Sequence, residues 1–126
     1  PSMSENVDAP ILDRDVVAAF LHWYLPAGMD ITEPESLPPA LAPANTADLS
    51  GLPPAYIGTA EHDPIRDDGA RYAELLAAAG VPVELHNSPT MVHAFVNFAA
   101  VVPAAAEATD RGLAALRAGL RRSIPA

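Results

Sequence analysis

The sequence has no cysteine, no lysine and no long run of apolar residues. Without cysteine, the chain can form no disulfide bond, no thiolate zinc site and no cysteine nucleophile. No apolar run approaches the roughly 20 residues that a membrane-spanning helix needs, and the first residues lack the basic and apolar regions of a signal peptide. We therefore expect a cytoplasmic protein with no membrane span.

Cations are scarce. The chain has seven, all of them arginines, against 16 acidic residues, and its net charge is −9. Phosphate binding needs clustered cations, so this composition disfavours nucleic acid as a partner. The charge is also uneven. Residues 1–63 hold ten acids and one arginine, a net charge of −9, whereas residues 64–126 hold six acids and six arginines, a net charge of 0.

Most prolines lie in the first half of the chain, which separates an acidic, proline-rich segment, residues 1–51, from a regular segment, residues 52–126. Residues 1–12 are polar and bounded by prolines, so we predict a loop there. Residues 13–25 are predicted to form a helix capped by the aspartate at its start. Six prolines within residues 31–54 disfavour regular structure in that stretch.

The regular segment alternates strands and helices. Residues 55–60 form a short apolar run after a proline pair, which is typical of a buried strand. Residues 66–79 are predicted to form a helix that stops at Gly80. A second strand is predicted over residues 81–86, because apolar and polar residues alternate there. Strand, helix and strand over this length indicate a βαβ unit with parallel strands.

The end of the chain is predicted to be helical. After a loop at residues 87–90, we expect a short helix from about His93 to Val102 and a longer one that starts at Pro103 and carries a leucine stripe. Two parallel strands leave both faces and both edges of a sheet to be covered. The sequence therefore predicts an α/β protein whose sheet is incomplete.

An acid and an imidazole follow the two predicted strands. Asp63 comes just after the first strand and His93 just after the second. Because the carboxyl ends of parallel strands meet at one rim of the sheet, we expect the two side chains to be close. A carboxylate that accepts the Nδ1–H of an imidazole, which in turn takes a proton from a nucleophile, makes up two members of a catalytic triad.

Simpler interpretations of the same residues stay open. Asp63 can cap the helix that follows it, and His93 can be a polar residue at a helix start. The acids and histidines around Asp63 and His93 are not predicted to bind a metal, because adjacent residues at a strand end point in different directions.

The regular segment resembles a known family. Residues 52–95 read LPPAYIGTAEHDPIRDDGARYAELLAAAGVPVELHNSPTMVHAF, which is similar to the C-terminal part of the hormone-sensitive-lipase-like esterases of the α/β-hydrolase superfamily. The resemblance implies the C-terminal half of an α/β-hydrolase fold, with parallel strands and flanking helices. It also implies that Asp63 is the triad acid, that His93 is the triad base, that no cofactor is needed and that the substrates are short- to medium-chain esters.

Two motifs of that family are absent. The chain contains neither G-x-S-x-G, which carries the nucleophilic serine, nor an HGGG-type loop for the oxyanion, and both come earlier in the chain order of α/β-hydrolases. The resemblance therefore implies a partner, an N-terminal half with the serine and the oxyanion loop, without which this chain is expected to be inactive. Ala94 is a further departure, since the family usually has glycine there.

Three aromatic residues of the first predicted helix are candidates for lining the substrate pocket: Phe20, Trp23 and Tyr24. Their helical spacing is equally typical of core residues. An alternative function for the whole chain is a non-catalytic interaction or assembly module, for which the leucine-striped last helix is suited. Related esterases often dimerise through their final strand and helix, so a homodimer is a further expectation.

Overall fold

The computed structural model describes residues 1–29 and 34–122. Its centre is a parallel pair of strands, β1 (Ala55–His62) and β2 (Val83–Val92), joined by helix α3 (Arg66–Ala78). The predicted βαβ unit is therefore confirmed. A further long helix, α4 (Pro103–Arg122), ends the described chain and begins at the predicted proline.

Two further helices precede the sheet: α1 (Ser2–Glu5) and α2 (Arg14–Tyr24). Helix α2 begins as predicted, because the side chain of Asp13 accepts a hydrogen bond of 2.7 Å from the main-chain N–H of Val16. Helix α1 lies where we predicted a loop. Its Ser2 and Glu5 contact the start of α3, which is distant in sequence, so no local pattern signals this turn.

The proline-rich stretch after α2 has little regular structure, as predicted. Its described part contains two short 3₁₀ turns, Pro34–Ser36 and Pro43–Asn45. Residues 30–33, which include the first part of the predicted irregular stretch, lie outside the described residues.

Helices cover both faces of the strand pair, because successive side chains of β1 point to opposite sides. Ile57 and Thr59 face α3 at Gly69, and Tyr56 faces α4 at Gly112. The small residues let both helices approach closely: a Cβ on Gly69 would lie only 2.7 Å from Cγ2 of Thr59. The layers are thus helix, sheet and helix, the arrangement expected of an α/β fold.

The second strand is longer than predicted and includes the four residues that we expected to form a loop. Pairing with β1 is regular up to Ala60 and Ser88 and resumes between His62 and Val92, so one residue of β1 lies opposite three of β2. Pro89 falls within this bulge, where its missing N–H interrupts no ladder hydrogen bond. The bulge therefore lets the strand continue past a residue that usually ends one.

The predicted helix from His93 to Val102 is wrong. Only a short 3₁₀ turn, Phe95–Phe98, forms there, and it starts after Ala94, whose left-handed backbone angles (φ 57°, ψ 24°) an α-helix cannot contain. The stop predicted at Gly80 is confirmed, since this residue has φ 79° and ends the turn after α3.

The core is small and lies between α3 and the sheet. Leu49, Leu76 and Val81 form its buried centre. The chain exposes 8498 Å² of surface, whereas a compact monomer of 13.1 kDa exposes roughly 6400 Å². The difference in exposed area is comparable to the area that one partner buries in an obligate protein–protein interface.

Gly69→Ala is expected to destabilise the chain by about 1 kcal/mol. The new methyl group would overlap the β-branched side chain of Thr59, a cost of roughly 1–3 kcal/mol that outweighs the gain of up to about 1 kcal/mol in helix propensity. Urea unfolding followed by circular dichroism measures the change. Gly119→Ala, on α4, is the control and should raise stability, because a methyl group there would meet no atom within 4 Å. Equal effects of the two substitutions would contradict the close packing of α3 on β1.

Candidate active site

Asp63 lies in the turn between β1 and α3, and only 8% of its surface is exposed. Its Oδ1 accepts a hydrogen bond of 3.0 Å from the main-chain N–H of Ile65, and its main-chain oxygen accepts one of 3.1 Å from Arg66. These bonds close the turn and fix the side chain's direction. Asp63 does not cap α3, whose N-cap is Ile65 and has no side-chain cap hydrogen bond. Its Oδ1 bonds within the turn, which leaves Oδ2 for another partner.

That partner is His93, the first residue after β2. Its Nδ1 lies 2.9 Å from Oδ2 of Asp63. The two side chains that we expected to meet at the rim of the sheet are thus in contact. In the tautomer with a proton on Nδ1, the imidazole donates to the carboxylate and its Nε2 keeps a free lone pair. Nε2 has no hydrogen-bond partner among residues 1–29 and 34–122.

The backbone of Ala94 explains why glycine suits the position after His93. The left-handed conformation, with φ 57°, turns the chain sharply away from β2 just after His93. A residue with a Cβ adopts this conformation at a cost of about 1–2 kcal/mol, and glycine avoids it. The alanine at this position therefore adds backbone strain beside the imidazole.

A groove of about 640 Å³ opens beside the pair and follows β1 between α3 and α4. Tyr56, Ile57 and Leu113 are among its apolar lining residues, and Asp63 and His93 lie at one end. Within the described residues, β1 pairs with β2 alone, so its other edge faces this groove. The groove is thus an uncovered strand edge as well as a cavity next to the acid–imidazole pair.

Asp68 and Ser88 are polar residues that also line the groove, and the sequence patterns did not identify them as site residues. Burial raises the pKa of the Asp68 carboxyl above its ordinary value. The Oγ of Ser88 is buried and has no hydrogen-bond partner within the part of the chain that the structure describes. Ser88 was not identified from the sequence because we expected a loop at residues 87–90, whereas β2 continues through this stretch.

An ionic cluster follows the Asp63 turn and also has no signature in the sequence patterns. The guanidinium of Arg66 contacts Glu5 of α1 at 2.6 Å, Glu61 of β1 at 2.7 Å and Asp67 at 3.1 Å. The hydrogen bond to Glu5 is the main reason why the pKa of Arg66 is raised. The main-chain N–H of Ser2 donates to Asp67 and holds the pKa of that carboxyl well below its usual range. Sequence spacing gives no sign of contacts over some 60 residues.

The three aromatic residues of α2 lie elsewhere. Phe20, Trp23 and Tyr24 are 53%, 73% and 76% exposed and are not among the residues that line the groove. The rings of Phe20 and Trp23 contact each other, with centroids 5.8 Å apart. Helix α2 has no buried residue, so these side chains are not part of the core that the described residues form. They form an exposed aromatic face of the chain.

The described residues hold no cluster of three or more histidine, aspartate or glutamate side chains that is arranged to bind a metal ion. Among the same residues, no helix has the length and apolar character needed to cross a membrane.

Comparison with known proteins identifies the fold family. The profile of the α/β-hydrolase fold matches residues 1–97. Carboxylesterase NlhH of Mycobacterium tuberculosis (strain ATCC 25618 / H37Rv) is 73% identical over 120 residues, which are 95% of this chain and 37% of NlhH. Esterase LipI of the same strain is 59% identical over 118 residues, 93% of this chain and 35% of LipI. The crystal structure of DphMB1 superimposes with a TM-score of 0.86 at 52% identity, covering 94% of this chain and 38% of that one.

The chain thus spans about 37% of the length of NlhH and 35% of that of LipI. The family match covers the βαβ unit together with both residues of the acid–imidazole pair. We conclude that this chain belongs to the α/β-hydrolase family, and that the homologues it resembles are carboxylesterases of the hormone-sensitive-lipase-like group.

Proposed function

We propose that this chain supplies the acid and the base of the triad of a carboxylic ester hydrolase, with Asp63 as the acid and His93 as the base. The single observation that carries the proposal is the 2.9 Å contact between Nδ1 of His93 and Oδ2 of Asp63 beside an open groove. The names of the relatives, carboxylesterase and esterase, support ester hydrolysis as the reaction. Short- to medium-chain esters are the proposed substrates.

The geometry suits a proton transfer through His93. Nε2 of the imidazole accepts the proton of a serine hydroxyl as the serine attacks the ester carbonyl, and then gives it to the departing alcohol. A water molecule repeats the cycle on the acyl-enzyme. Asp63 holds the ring in the tautomer that leaves Nε2 free and stabilises the imidazolium while the proton resides there.

The serine and the oxyanion donors come from polypeptide outside these 126 residues, because the sequence contains no G-x-S-x-G and no HGGG-type loop. The uncovered edge of β1 and the excess exposed area support the same requirement for further polypeptide. The exposed aromatic face of α2, formed by Phe20, Trp23 and Tyr24, is proposed to line the substrate pocket once that polypeptide is in place.

A chimera tests the proposal. This chain replaces the matched 120 residues of NlhH, so that the remainder of that carboxylesterase supplies the missing parts. We expect the chimera to hydrolyse a p-nitrophenyl ester of a short acid with burst kinetics, and we expect the purified chain alone to show no turnover. The chimera with His93→Ala is the control and should lose nearly all of this turnover.

Two outcomes would count against the proposal. Turnover that survives His93→Ala would remove the base from the mechanism. A chimera that folds but hydrolyses no ester would instead favour the alternative, an interaction or assembly module without catalysis.

A further inference from the structure

The turn that carries Asp63 is held from a distant part of the chain. We define residues 61–67 as the acid turn. Ser2 and Asn6, at the start of α1 and just after it, are both buried and hydrogen-bond to the acid turn. A helix of four residues is not stable by itself, so contacts with the rest of the molecule must determine where α1 lies.

Asn6 contacts the acid turn through its side-chain amide. Nδ2 lies 3.4 Å from the main-chain oxygen of Glu61, 3.3 Å from that of Asp63 and 3.2 Å from that of Ser2. The two amide hydrogens are therefore shared among three acceptors, two of which belong to the acid turn. Asn6 is only 9% exposed, so water does not compete freely for these bonds. The Asn6 amide therefore holds the main chain from Glu61 to Asp63.

Ser2 contacts the other side of the same turn. Its Oγ donates to the main-chain oxygen of Pro64 at 2.8 Å and accepts from the main-chain N–H of Asp67 at 3.2 Å. Asn6 and Ser2 together therefore hold the chain just before and just after the triad acid. The second hydrogen bond of the Asp63 carboxylate goes to Ile65, which lies within the turn and moves with it.

We propose that Asn6, assisted by Ser2, is a positioning residue for the triad acid: it holds the acid turn where Oδ2 of Asp63 meets Nδ1 of His93. This inference depends on the proposed function, since it assigns Asn6 a role in the same reaction. Misplacing a reacting group by about 1 Å can cost up to roughly a hundredfold in rate, so a small shift of the turn is enough to matter.

The test uses the NlhH chimera with Asn6→Ala. We expect kcat to fall roughly tenfold to a hundredfold with KM within about twofold of the parent value, since binding groups are untouched. The strongly downfield proton resonance of the His93 Nδ1–H bonded to Asp63 should broaden or disappear. In the Asp63→Asn background, Asn6→Ala should cause no further loss of kcat, because a positioning residue acts through the group it positions.

Asn45→Ala is the matched control. The Asn45 amide also donates to two main-chain oxygens, those of Pro34 at 2.7 Å and Leu37 at 2.8 Å, but these lie outside the acid turn. It should lower stability while leaving kcat and the downfield resonance unchanged. Ser2→Ala is a second variant, for which we expect a smaller loss of kcat. If Asn6→Ala fails to fold, the kcat of Ser2→Ala tests the positioning of the acid turn instead.

Three results would overturn the inference: an unchanged kcat in Asn6→Ala, an equal loss in Asn45→Ala, or an Asn6→Ala effect of the same size with Asp63 already replaced. Failure of the proposed function looks different. In that case the parent chimera lacks turnover or is insensitive to His93→Ala, while the downfield resonance still reports on the contact that Asn6 is proposed to maintain.

Discussion

Replacing Asp63 by asparagine in the NlhH chimera should lower kcat by about 10⁴-fold, with a much smaller change in KM. The amide has nearly the same shape as the carboxylate and can keep the hydrogen bonds of the turn, so the fold should survive. What changes is the tautomer of the His93 imidazole. An amide N–H facing Nδ1 of His93 favours the tautomer with its proton on Nε2, the atom that must accept a proton from the serine. Steady-state hydrolysis of the p-nitrophenyl ester measures the loss.

The double variant distinguishes this role from general damage. Members of a triad act as one unit, so Asp63→Asn combined with His93→Ala should be no slower than His93→Ala alone. Asp68→Asn is the matched control, because Asp68 is a second acid of the same groove that has no role in the proposed proton transfer. A loss in Asp68→Asn as large as in Asp63→Asn would contradict the assignment of the acid.

Leu76→Ala should cost about 2–5 kcal/mol of the free energy of unfolding. Leu76 is 2% exposed and lies at the centre of the core with Leu49 and Val81. With so few buried neighbours, the loss is a large part of a total stability that rarely exceeds about 15 kcal/mol. Urea unfolding of the purified chain measures it. Leu120→Ala, at a residue 58% exposed on α4, is the control and should change stability by no more than about 0.5 kcal/mol. Similar losses at both positions would mean that the buried centre is not where the chain's stability resides.

The sequence predicted best what local patterns determine. The apolar run of β1, the glycine that ends the turn after α3 and the aspartate that caps α2 each act within a few residues, and the structure has all three. The contact between Asp63 and His93 followed from one topological rule, that parallel strands present their carboxyl ends at one rim. The rule needs only the order of the elements, so 30 residues of separation did not obscure it.

The missed features depend on tertiary contacts. Pro89 suggested the end of a strand, but a bulge accommodates it and β2 continues. The helix expected to start at His93 did not form, and Ala94 takes a left-handed conformation that alanine rarely adopts. Asn6 looked like a loop residue, because its acceptors lie 55 and 57 residues further along the chain. Side-chain hydrogen bonds over such distances have no periodic signature.

The two edges of the strand pair differ in how well they resist unwanted pairing. The β2 edge has three features that discourage a foreign strand: a bulge, a proline and the charged Glu84. The first six residues of β1, Ala55–Ala60, have neither charge nor proline, and their second edge, which pairs with no strand of the described residues, lies along the groove. In concentrated solution, this chain by itself should therefore self-associate into β-rich aggregates through β1, and a peptide that pairs with β1 should act as a solubilising agent.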